Sequence, residues 1–142
     1  MSGSRATGHL TPGDEIPALR RVVTAADVAA YAEAGGDRNP LHLDGSVARA
    51  AGFPGVIAHG MFTMGHMAAC AVAWAGDPAA IVRISAQFRA PVSMGDEITA
   101  AGRIKEIDYV TDTVVLEMWV TLARDGQTEQ PIKKGEVTVS LG

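Results

Sequence analysis

The chain has 142 residues, a length that favours one domain with a single core. Hydrophobic residues make up 47% and charged residues 20%, so the chain is not too polar to collapse. Twelve basic against sixteen acidic side chains leave a net charge of −4, which argues against nucleic acid as the main partner but leaves room for a local basic patch.

Met1 to Leu10 is small and polar, with no signal-peptide core, and reads as a mobile lead-in to a domain over 11–142. A short extended stretch around Leu19 to Val23 comes next. Thr24 and Asp27 form a capping box for a helix over Ala25 to Ala34, which Gly35-Gly36 ends. In Asp37-Arg38-Asn39-Pro40-Leu41-His42 the proline prevents a continuous helix. Asp44 to Ala51 makes a short helix closed by Gly52, and a turn with Pro54 and Gly55 leads to Val56. From Gly60 to Ala75 the spacing predicts a helix apolar on nearly every side, hence buried, stopped by Gly76-Asp77-Pro78.

The longest apolar run, Met67 to Ala75, falls far short of the ~20 residues of a membrane helix. Cys70 within it is the single cysteine. It can make no internal disulfide or thiolate zinc site, and it suits a reducing, cytoplasmic setting.

The second half alternates with period two, the mark of a sheet with one buried face. Strands are expected over Val82 to Ala90 (Val82, Ile84, Ala86 and Phe88 inward), Glu97 to Ile107, Val114 to Leu122 and Pro131 to Leu141, with Asp125-Gly126 as a hairpin turn. An antiparallel sheet and one buried helix make an α+β arrangement in which the sheet wraps the helix.

Two features carry chemistry. Asp37, Asn39, His42 and Asp44 crowd one loop, where a carboxylate can orient a histidine able to exchange a proton near neutral pH. The plain alternative is that Asp37 and Asn39 only cap the next helix and His42 sits on the surface. The other feature is Ala58-His59-Gly60-Met61 at the start of the buried helix. There Gly60 lets a substrate oxygen approach a free N–H, or merely permits a tight turn while His59 packs or caps. His42, His59, His66, Asp37 and Asp44 match no zinc spacing, so no metal is expected. Arg20, Arg21, Arg83, Arg89, Arg103 and Lys105 are solvated strand residues by default, of which a subset could receive a carrier's phosphates.

Tyr31, then Gly36-Asp37-Arg38-Asn39-Pro40-Leu41-His42, then Ala48 resembles the signature of the MaoC-like, (R)-specific enoyl-CoA hydratases. Ile57 to Met61 and Gly95-Asp96-Glu97-Ile98 resemble two further blocks of that family. His59 to Gly65 with Trp74 to Pro78 is especially similar to the HadB-type catalytic subunit of (3R)-hydroxyacyl-carrier-protein dehydratases. The resemblance covers nearly the whole chain. It implies a hotdog fold, a curved antiparallel sheet around a long central helix. It also implies homodimers or heterodimers with sheets joined edge to edge, and an acyl-CoA or acyl-carrier-protein thioester as substrate, with no cofactor. Asp37 and His42 match the catalytic pair, and Gly60 the glycine whose N–H binds the thioester oxygen. Some members carry a serine eight residues after that glycine; here Ala68 stands there, as in the HadB-type branch. Competing readings are a hotdog thioesterase, a non-catalytic subunit that only shapes an acyl tunnel, and a hydratase of unusual substrate. Gly65, Ala68 and Ala69 could leave room for such a tunnel.

Overall fold

The computed structural model describes residues 10–35, 39–53, 57–124 and 126–142. In chain order the elements are β1 (Glu15–Val22), α1 (Ala25–Gly35), a 3₁₀ turn (Pro40–His42), α2 (Gly45–Ala50), α3 (Gly60–Ala75), a second 3₁₀ turn (Pro78–Ala80), β2 (Ile81–Phe88), β3 (Glu97–Asp108), β4 (Thr113–Arg124) and β5 (Gln127–Ser140). The strands form one antiparallel sheet in the order β1-β3-β4-β5-β2, and α3 touches all five. This is the hotdog arrangement, and the expected α+β class holds. No described helix is long and apolar enough to cross a membrane.

The core lies between α3 and the concave face of the sheet. Val114, Leu116, Met118, Val120 and Leu122 of β4 are buried, as the alternation requires, and so are Val137, Val139 and Leu141. Their partners on the helix are Met67, Cys70, Ala71 and Trp74. Close approach depends on two glycines. Gly102 of β3 and Gly135 of β5 flank Met118 on either side. A Cβ on Gly135 would sit 2.7 Å from Met67 Sδ, so its absence is what lets α3 settle onto the sheet.

The helix starts follow the sequence closely. Thr24 and Asp27 exchange side-chain-to-backbone hydrogen bonds of 3.1 and 3.2 Å, the capping box expected for α1. At the C-terminus of α3, Gly76 takes φ 84°, which glycine adopts without penalty.

Other expectations need correction. One stripe of α3, Met61, Gly65, Ala69 and Ala73, is exposed, so the helix is not enclosed on every side. β2 is an edge strand, and Val82 (63%) and Phe88 (49%) stay exposed while Ile84 and Ala86 are half-buried. β1 begins at Glu15 rather than near Leu19, because a register shift between Ile16 and Leu19 interrupts the alternation at Pro17. β5 begins at Gln127 rather than Pro131. Its polar start pairs with β4, and a register shift between Val120 and Leu122 admits the proline. The hairpin forms, with Arg124 opposite Gln127 and Gly126 at φ 77°; Asp125 is outside the described residues. So are residues 1–9 of the proposed lead-in, while Leu10 packs against the core.

Candidate active site

The Pro40–His42 turn is built locally. Asn39 Oδ1 accepts from Leu41 N–H at 3.0 Å, and proline stands at the first position of the turn, where its missing N–H costs nothing. Asp44 then caps α2, accepting from Ser46 N–H and Ser46 Oγ at 2.9 and 2.7 Å. The Ser46 hydroxyl and amide hold the Asp44 carboxyl below the ordinary carboxylate range. Asn39 therefore has a capping role, as the plain reading allowed, though on the 3₁₀ turn; α2 is capped by Asp44, which that reading did not assign, and Asp37 lies outside the described residues.

The segment before α3 is tied to this turn. Ile57 N–H donates to Leu41 O at 3.1 Å, and Ala58 N–H donates to Val92 O at 2.6 Å. His42 Nδ1 lies 2.7 Å from Ile57 O. A carbonyl can only accept, so Nδ1 carries the proton and, in the neutral ring, the lone pair resides on Nε2. Three residues after Ile57, Gly60 opens α3. Its N–H points out of the first helical turn and has no partner among the described residues, while Phe62 and Thr63 N–H already donate to His59 O. The positive end of the helix dipole adds to the pull on an approaching oxygen.

His42 and Gly60 line one cleft of about 370 Å³, together with Phe53, Ala58, Thr63, Phe88 and Arg89. Phe88 closes tightly on the glycine, since a Cβ on Gly60 would come within 3.3 Å of its ring. His59 does not cap α3. It is buried, its ring stacked on His42 at 3.8 Å and tilted against Tyr31 at 4.8 Å. This row of rings leads towards a second cleft of about 410 Å³, lined by Leu19, Tyr31, Phe62, Gly65, His66 and Ala69 among others. Gly65 and Ala69 thus line open space.

Two of the three site residues expected from sequence, His42 and Gly60, come together; Asp37 lies outside the described residues. Sequence reasoning missed Thr63, Phe88 and Arg89 as cleft walls. Phe88 ended an expected inward face, and only its place at the tip of an edge strand shows why it turns to the cleft. His66 is buried elsewhere, with Nε2 2.9 Å from Leu19 O, and burial lowers its pKa. Cys70 is buried too, and burial raises its thiol pKa, as expected of an inert core cysteine.

The model of the MaoC-like domain matches residues 9–121. The chain belongs to the MaoC-like family. It is 34% identical over 90 residues to the 3-hydroxybutyryl-CoA dehydratase of Methylorubrum extorquens, a match covering 63% of this chain and 57% of that protein. Among solved structures it is similar to a MaoC-like dehydratase, with a TM-score of 0.84 and 35% identity over 99% of this chain and 43% of the other. It is also similar to the (R)-hydratase of A. caviae involved in PHA biosynthesis, with a TM-score of 0.83 and 27% identity over 94% and 98% of the two chains. The chain therefore spans about half the length of the first two of these relatives and nearly all of the third.

Proposed function

We propose that this MaoC-like chain reversibly adds water to a trans-2-enoyl thioester, giving the (3R)-hydroxyacyl thioester. The observation that carries the reading is one cleft holding both an imidazole with its Nδ1 proton fixed by a carbonyl and a helix-start amide without a partner among the described residues. A relative named as a 3-hydroxybutyryl-CoA dehydratase and a structural neighbour named as an (R)-hydratase support the same chemistry.

In hydration, His42 Nε2 takes a proton from a water held beside C3 by His42 and Asp37, and the oxygen bonds to C3. Electron density moves to the thioester oxygen, where the Gly60 N–H stabilises the enolate. The dyad then returns a proton to C2 on the same face. Dehydration runs these steps backwards, with the 3-hydroxyl leaving as water. The thioester itself acidifies C2, so the steps draw on no cofactor. The part given to Asp37 rests on the family motif.

The purified chain should consume crotonyl-CoA, read as loss of the conjugated enoyl absorbance, and chiral analysis should return the (3R)-hydroxy product. Thiol release without hydration would identify a thioesterase instead. His42→Ala and Asp37→Asn should each lower kcat by about 10²–10⁴-fold with an unchanged circular dichroism spectrum. Near wild-type rates in either variant would refute the assigned role.

The exposed edge of β2 supports pairing through that strand, with a second copy or a related hotdog subunit. The lone buried thiol suits a cytoplasmic setting.

A further inference from the structure

We infer that Arg89, Lys133 and Lys134 form a binding site for the phosphate groups on the pantetheine carrier of the thioester; the inference rests on the thioester chemistry proposed above. These side chains line a third cleft, of about 460 Å³, with Ala90, Glu129 and Gln130. Arg89 and Ala90 also line the cleft of His42 and Gly60, so the two adjoin. A pantetheine arm lying along this seam would put its thioester at the histidine and its phosphate among the cations.

The cluster has a structural origin. Lys133 stands opposite Gln87 across β5 and β2, so the two side chains share a face. Arg89, two residues beyond Gln87, shares it too and hydrogen-bonds to the Gln87 side-chain oxygen. Lys134 joins them only because its backbone takes φ 52°, the left-handed region that favours glycine. Both lysines are exposed in succession, where strand alternation would bury one. A lysine held in a costly conformation, where glycine would serve the backbone better, points to a use for its charge.

Among the described residues, the charge of the two lysines is not spent on a neighbouring carboxylate. Arg21, Arg103 and Lys105 are each paired with a carboxylate, at 2.7, 2.7 and 2.6 Å. Among the described residues neither Lys133 nor Lys134 has such a partner, and Glu129 supplies the one carboxylate of the cleft. Three cations against one anion suit a dianionic phosphate, which ammonium groups meet as point charges and guanidinium as a fork.

Titration calorimetry on the full chain tests the site without turnover. CoA and 4′-phosphopantetheine should bind more tightly than unphosphorylated pantetheine. The Lys133→Gln/Lys134→Gln double variant should weaken both phosphorylated ligands by about tenfold at low salt, with the difference shrinking at high ionic strength. Lys134→Gly separates binding from folding, since it should weaken CoA binding without lowering the melting temperature. Competition by adenosine 3′,5′-bisphosphate assigns the carrier as CoA. Tight binding of a phosphopantetheinylated carrier protein without that competition assigns it as the protein. Equal affinity for CoA and pantetheine, or wild-type CoA affinity in the double variant, overturns the site. Phosphate-dependent binding by a chain that hydrates no enoyl thioester would overturn the activity and leave the site standing.

Discussion

Gly60 offers a backbone group for mutation, because its place at the first position of α3 accepts proline. His59 already has φ −64° and ψ 142°, the extended conformation that a following proline imposes. Gly60→Pro therefore removes the N–H while leaving the helix start intact. Gly60→Ala keeps the N–H and adds nearly the same contact to the Phe88 ring, 3.3 Å away. If the amide binds the enolate oxygen, kcat of the proline variant should fall about 10²–10³-fold below that of the alanine variant. Equal rates would remove the amide from the mechanism. His66 gives a second residue-scale prediction, on stability. Its folded pKa lies below the unfolded value of 6.5, chiefly through burial, so the unfolded chain binds the extra proton first as pH falls. The stability contributed by neutral His66 is whole above about pH 6.5 and declines below it. His66→Gln, which retains a donor for Leu19 O, should flatten the acid limb of a urea-denaturation series from pH 7 to 5.

At the scale of elements, the sheet's close fit to α3 depends on the absent side chains of Gly102 and Gly135. A Cβ at position 135 would meet Met67 Sδ at 2.7 Å and Met118 O at 2.9 Å. The thioether could swing aside, but the strand carbonyl cannot. Gly135→Ala should cost about 1–3 kcal/mol in chemical denaturation, with a normal circular dichroism spectrum in the folded baseline. The elements themselves were largely legible. α1 was fixed by its capping box, α3 by its apolar spacing, and β4 by five alternating core residues. What escaped were the irregularities, at Pro17 and at the start of β5, where register shifts break the period on which strand reading depends. The loop motif placed His42 and the helix start placed Gly60. The walls contributed by Phe88 and Arg89 come from a strand distant in sequence, and no local pattern announces them.

For the whole molecule, the open question in the sequence was what the sheet does with its edges. Antiparallel order places β2 at one rim, with Val82 and Phe88 exposed, and such an edge invites pairing. Sedimentation of the purified chain should show a dimer, and Val82→Lys should shift it towards monomer at equal concentration. A monomeric wild type, unaltered by the substitution, would assign the edge no such role. Alternation alone made Val82 and Phe88 look inward-facing. A register shift between Ile81 and Arg83 turns Val82 outwards, while Phe88, opposite the buried Ile132, keeps to the helix side against Gly60 and is exposed because its strand is at the edge.

Phe88 belongs both to that rim and to the wall against which Gly60 closes. Pairing through that rim would link assembly and occupancy by mass action: whatever fills the space beside the ring would alter the free energy of association, and association would alter affinity in equal measure. Turnover per chain should fall on dilution and recover when ligand is supplied in excess, making enzyme concentration itself a variable of the assay.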